Sequence, residues 1–222
     1  MAWVNLEQQL GYISALKGVV SLLEDPAHTQ SVYDIEDGLR DTQATRLSVE
    51  FVQSLPGVAE LIRDRYLPPK VDVEALQKLP VGSLGRTYAD YIISSGFDPN
   101  FYRLIPVKDD TNYVLLRMRQ THDIWHIVTG FHTDVPGELG LKAFELAQTR
   151  RTMAVILITG GLISTLFKAP QDLETLLEHL ARGYRLGRQA KPLLAERWED
   201  HWEKPLADWR VELGLEQAAN VP

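Results

Sequence analysis

Between positions 122 and 138 the chain carries His122-Asp123-Ile124-Trp125-His126 and then Asp134-Val135-Pro136-Gly137-Glu138, so that His122, Asp123, His126 and Glu138 fall within seventeen positions as potential metal ligands. On a helix that turns ~100° per residue, His126 falls ~40° from His122 and Asp123 ~100° from it, so the three share one arc. A loop through Gly130 that ends in Pro136-Gly137 would return Glu138 from the first turn of the next helix. Two imidazoles and two carboxylates suit zinc or another borderline divalent ion, and a position is left for water or substrate if one carboxylate stays outside. Plainer origins stay open. Two histidines four apart arise by chance, an acid in a first turn favours the positive end of the helix dipole, and Glu138 with Lys142 makes an ordinary i,i+4 surface pair.

The elements that must hold these residues read as helices nearly throughout. Leu6, Leu10, Ile13, Leu16, Val20 and Leu23 recur at helical spacing and predict an amphipathic helix that stops before Pro26. Residues 26–38 give a short helix or turn. Asp41 or Thr42 caps a second long helix through Leu47, Phe51 and Leu55, and Pro56 opens a third that ends by Pro68-Pro69. A short segment over 73–79 precedes Pro80, and Gly82 and Gly85 lead into a helix with Tyr88, Tyr91 and Ile92 that ends near Gly96. After a loop punctuated by Pro99 and Pro106, Thr111 or Asn112 starts the helix bearing the histidines. Further helices begin near Pro136 and near Pro170-Asp172. With no repeat or flexible linker, the expectation is an all-α chain, residues 1–222 forming a single compact multi-helix domain.

Two other stretches stand out. Residues 153–167 are apolar on every face yet too short to span a bilayer; they read as a central core helix or one buried strand, or as the wall of an apolar lipid pocket with Gly160-Gly161 allowing close approach. Trp198 and Trp202, with Trp209 beyond, would pack onto the domain, with a membrane-surface or partner contact as the other reading.

Composition narrows the partners. The 222 residues are 45% hydrophobic and 24% charged with a net charge of −7, so a soluble globular protein is expected and nucleic acid is not. The absence of cysteine removes disulfides, thiolate catalysis and cysteine-ligated metals. Met1-Ala2-Trp3-Val4-Asn5-Leu6-Glu7 has the layout of neither a signal peptide nor a transit segment, so a cytoplasmic protein, peripheral on the cytoplasmic membrane if it meets lipid, is the expectation.

Three blocks give the chain a family likeness: Leu79-Pro80-Val81-Gly82-Ser83-Leu84-Gly85-Arg86-Thr87-Tyr88, Arg117-Met118-Arg119-Gln120-Thr121-His122-Asp123-Ile124-Trp125-His126, and Gly137-Glu138-Leu139-Gly140-Leu141-Lys142-Ala143-Phe144-Glu145. With residues 198–213 they resemble the coenzyme Q (ubiquinone) biosynthesis protein four family over most of the chain. The match begins almost at Met1, which implies a bacterial-type member without a mitochondrial presequence. Gln120 departs from the acid usual before the motif, and Arg150-Arg151-Thr152 replaces a short Gly-Leu-Pro stretch.

By that resemblance His122, Asp123, His126 and Glu138 hold a divalent metal, with zinc the expected ion. It also implies a pocket for a polyprenylated aromatic lipid or other isoprenoid, association with a membrane surface and with other quinone-biosynthesis proteins, and oxidative removal of the C1 carboxylate of a prenylated hydroxybenzoate. Asp123 serves there as ligand or as catalytic base, Arg119 and Lys142 flank the motif as candidates to hold an anionic head group, and a homodimer stays open. Two rival functions are weighed: a non-catalytic lipid carrier or scaffold organising quinone-biosynthesis enzymes, and a zinc metallohydrolase. Against the second, Asp123 is one methylene shorter than the glutamate that activates water in such enzymes.

Overall fold

A computed structural model describes residues 30–100, 102 and 104–220. Among the described residues there are ten α-helices and no strand, so the chain is all-α as expected. The amphipathic stretch from Leu6 to Leu23 lies outside the described residues. By internal contacts the chain divides into two compact units, one drawn from Met1–Val52 and Thr133–Arg188, the other from Gln53–His132 and Gln189–Pro222.

The first unit holds α1 (Gln30–Leu39), α2 (Gln43–Gln53), α7 (Val135–Thr149), α8 (Thr152–Lys168) and α9 (Leu173–Gln189). Thr42 rather than Asp41 caps α2, its Oγ1 accepting from the Thr45 amide at 3.2 Å. α7 and α9 approach closely because two glycines of α9 lack side chains: a Cβ on Gly183 would stand 1.9 Å from the carbonyl oxygen of Gly140, and one on Gly187 2.6 Å from that of Phe144. Gln148 donates to the Gly187 carbonyl at 2.7 Å across the same seam. α7 turns sharply into α8 through Arg150, a non-glycine residue at φ 56° whose guanidinium lies 3.7 Å over the Phe51 ring. Ile35 and Leu39 of α1 pack on Met153 at the start of α8.

The apolar stretch over 153–167 forms a helix, which settles the helix-or-strand ambiguity. It is not wrapped on all sides, however. Met153, Ala154 and Thr165 are buried, whereas Val155, Ile163, Leu166 and Phe167 are exposed, Phe167 by 79%. Hydropathy reports how apolar a helix is, not how many neighbours the fold supplies. The Gly161 face is closed by the protein itself, since a Cβ there would meet Leu139 Cδ1 at 2.2 Å.

The second unit comprises α3 (Val58–Asp64), α4 (Val73–Leu76), α5 (Leu84–Ser95), α6 (Asp110–Thr129) and α10 (Leu206–Leu213), with short 3-10 turns at Leu193–Ala195, Trp198–Asp200 and Glu216–Asn220. Ser83 caps α5 and left-handed Gly96 ends it. Trp198 and Trp209 are buried with ring centroids 4.7 Å apart, and Trp202 lies against Tyr88 at 5.2 Å. The tryptophans therefore pack onto the protein, but through a 3-10 turn and not as a stripe on one helix.

Candidate functional site

α6 is the element that positions the histidines. It starts one or two residues earlier than Thr111 or Asn112, because Asp109 supplies the cap: its carboxylate accepts from the Asn112 amide at 2.7 Å, and Asp110 adds a second acid in the first turn. Arg117, 1% exposed, forks onto Glu199 at 2.6 and 2.7 Å and donates to the Glu196 carbonyl at 3.1 Å. At the other end Arg210 donates to the carbonyls of Ile127 at 2.9 Å and Val128 at 3.0 Å, satisfying oxygens that a helix terminus leaves without partners. The helix is thus pinned at both ends, and the histidine stripe between them inherits a fixed orientation.

His126 is 2% exposed, and its Nδ1 stands 2.9 Å from the carbonyl oxygen of Phe131. A carbonyl only accepts, so Nδ1 carries the proton and, in the neutral ring, Nε2 presents a lone pair. That Nε2 lies 3.3 Å from Nε2 of His122, the two rings being edge-to-face at 82°. Two nitrogens held ~2.0–2.1 Å from one tetrahedral zinc would stand about 3.3 Å apart. A histidine whose second nitrogen donates to a backbone carbonyl is the usual supporting arrangement for a metal ligand. The spacing and the tautomer both fit a cation.

The carboxylate comes from the start of α7. Asp134 caps that helix by accepting from the Gly137 amide at 2.8 Å, Pro136 sits in its first turn, and Glu138 follows, half-buried. Glu138 offers a carboxylate, the ligand type that commonly accompanies two imidazoles on zinc. Two imidazoles and a carboxylate leave coordination positions for water or substrate, and suit zinc or, as a facial triad, iron(II).

Asp123 follows His122 on α6. It is half-buried on α6, and its charge bears on Tyr88, whose phenol is held above the ordinary tyrosine range chiefly by burial and next by Asp123. Arg119, half-buried, lies three residues before His122 on the same helix. Lys142 is not a solvent-facing charge. It is 8% exposed with Nζ 2.8 Å from Glu145 Oε2, and Glu145 Oε1 also accepts from Arg151 at 2.8 Å. Arg151 in turn pairs with Glu36, both buried.

Sequence reasoning missed Phe131, whose contribution is a backbone carbonyl and so leaves no trace in residue type. It also missed Glu145 and Arg151. The one available signal was their charge, Glu145 within α7 and Arg151 just before α8, beside otherwise apolar residues.

The family model described as "Coenzyme Q (ubiquinone) biosynthesis protein Coq4" matches residues 42–219. A Yarrowia lipolytica protein named as mitochondrial ubiquinone biosynthesis protein COQ4 is 31% identical over 207 residues, 91% of this chain and 73% of that protein. The Talaromyces stipitatus protein of the same designation is 36% identical over 172 residues, 73% of this chain, but this chain spans only 57% of its length. A crystal structure of a Nostoc punctiforme protein provisionally named for ubiquinone biosynthesis superposes with a TM-score of 0.83 at 35% identity, covering 92% of this chain and 98% of that one.

These matches correct the cytoplasmic expectation, since the curated relatives carry mitochondrial names. The default rested on the first few residues and on composition. Compartment is set by a short address read by import machinery, and the make-up of a folded helical body does not encode it.

Proposed function

The chain belongs to the Coenzyme Q (ubiquinone) biosynthesis protein Coq4 family, and from that premise we propose that it is a zinc-dependent protein that binds a prenylated hydroxybenzoate and replaces the C1 carboxylate with a hydroxyl. The observation carrying this reading is the pair of Nε2 atoms of His122 and His126 held 3.3 Å apart, with the His126 tautomer set by Phe131.

In this reaction the C1–carboxyl bond breaks, carbon dioxide leaves and a C1–oxygen bond forms. Dioxygen takes the electron pair, and water closes the balance with hydrogen peroxide as the second product. A divalent cation in the His/His/Glu group would supply Lewis acidity toward the phenolic oxygen or the carboxylate. Zinc has no redox chemistry of its own, so the electron-rich ring must itself react with dioxygen. Asp123, next to His122 on α6, is the base proposed to take the phenolic proton on a carboxylate oxygen. Arg119, on the same helix, is proposed to orient the anionic head group.

The exposed Val155, Ile163, Leu166 and Phe167 of α8 support a lipid-facing role for that helix, since such apolar area facing water commonly marks a contact with lipid or another protein. Among the described residues no helix is long and apolar enough to cross a membrane, so contact with a lipid surface is the form this reading takes. Other quinone-biosynthesis proteins are the partners that would pass the substrate on.

Native mass spectrometry of the protein from a quinone-producing host, read with release of carboxyl-labelled carbon dioxide from a prenylated hydroxybenzoate, tests the proposal. The expected result is bound zinc, a co-purified prenyl lipid, and turnover abolished in His126→Ala while lipid is retained. Metal and lipid bound with no carbon dioxide released would favour the scaffold reading. Absence of both would end the metal and lipid assignments together.

A further inference from the structure

Four charged side chains of the first unit form a buried alternating chain: Glu36, Arg151, Glu145 and Lys142 are 3%, 7%, 2% and 8% exposed. Burying ions in this way is expensive, and an apolar replacement of the same volume is often neutral or stabilising. Their presence beside a candidate ligand therefore asks for a role. Lys142 lies one turn after Glu138 on α7, on the same face, and the carboxylates whose charge supports its protonated form against burial are Glu145 and Glu138. Its Nζ hydrogen-bonds Glu145, which is itself clamped from the other side by Arg151.

We infer that Glu145 is a positioning residue: by anchoring the Lys142 ammonium, with Arg151 fixing Glu145 in turn, it keeps that cation off Glu138 so that the Glu138 carboxylate serves a metal ion. A lysine that is 8% exposed requires a counter-ion, and with Glu145 neutralised the other carboxylate bearing on it is Glu138. An ammonium seated on Glu138 would both occupy its oxygens and repel an incoming divalent cation. The inference rests on the metal reading above and assigns to Glu145 and Lys142 parts that ligand geometry alone does not.

The test is zinc affinity, measured by competition with a chromogenic chelator at one neutral pH, for wild type, Glu145→Gln, Lys142→Met and the double variant, with folding checked by circular dichroism. Glu145→Gln should weaken zinc binding at least about tenfold, the scale on which supporting contacts act. Lys142→Met should bind as tightly as wild type or more tightly, and adding it to Glu145→Gln should restore affinity, which a merely structural loss at Glu145 would not allow. Folded Glu145→Gln with wild-type affinity, or a double variant no better than Glu145→Gln, overturns the inference while leaving the metal reading intact. Should Glu145→Gln not fold, Lys142→Met decides alone: weakened zinc binding in that folded variant overturns it. Wild-type protein that takes up no zinc overturns the metal reading and this inference together.

Discussion

The carbonyl of Phe131 receives the Nδ1 proton of His126 at 2.9 Å, and this one backbone contact turns the imidazole so that its other nitrogen faces His122. Gly130 makes the contact reachable. It ends α6 at φ 71°, and a Cβ there would also stand 2.9 Å from the Ala218 carbonyl oxygen.

Gly130→Ala should therefore act on the metal site without touching a ligand. The expected outcome is zinc affinity reduced roughly 10–100-fold, with a stability loss of about 1–3 kcal/mol from the left-handed backbone. Chelator competition alongside urea unfolding checks both. Unchanged affinity in the destabilised variant would show that Phe131 does not govern the ring.

The contact of Gly183 with Gly140 predicts a purely structural effect. With 1.9 Å between a new Cβ and the carbonyl oxygen, Gly183→Ala must part α7 from α9 and should lose about 3 kcal/mol, the upper end for overpacking. A chemical denaturation midpoint close to wild type would contradict the close approach.

Arg117 and Glu199 are 1% and 4% exposed, so removing either partner strands a buried charge. Glu199→Gln should destabilise by about 3–5 kcal/mol, whereas replacing both with apolar residues of similar volume should recover much of that loss. The double-variant cycle in urea is the measurement, and a Glu199→Gln loss below about 1 kcal/mol, the scale of an exposed pair, would deny the pair its buried character.

Alkaline pH should unfold the protein through its buried tyrosines. Burial, opposed by Arg117, Arg197 and Arg65, pushes the Tyr113 phenol up to about 12 from an ordinary 10.0, and Tyr66 and Tyr88 are raised further in the same direction. The unfolded chain then releases these protons first, so the stability they contribute is complete below pH 10 and is lost as pH rises toward 12. Tyrosinate absorbance should lag exposed tyrosine and rise together with unfolding. Ionisation of these residues in a still-folded protein near pH 10 would refute the shift.

Phe167→Glu tests the lipid-facing role of α8. Because the side chain is 79% exposed, stability should change by no more than about 0.5 kcal/mol, while sedimentation with anionic liposomes should fall severalfold. Wild-type liposome binding in the variant would remove that helix from the lipid contact.

The all-α class was legible in residue order because helical periodicity and bounding prolines and glycines are local signals, whereas the caps Asp134 and Ser83 emerged only from the structure. The start of α6 was misplaced because several polar residues there can each cap a helix, and only the Asp109 bond to Asn112 chooses among them. The fate of α8 was not legible at all. The strong hydropathy of residues 153–167 gave no hint that Phe167 would face outward, because burial depends on what the rest of the chain places alongside.

Sequence alone thus determined which residue types could ligate a cation and which helices would carry them, since spacing along a helix fixes angular position. Tertiary structure decided that the Phe131 carbonyl orients His126 toward His122, and that Lys142 is held by Glu145. Those outcomes depend on how separate helices dock and on which buried charges find partners, quantities summed over distant contacts that no local pattern contains.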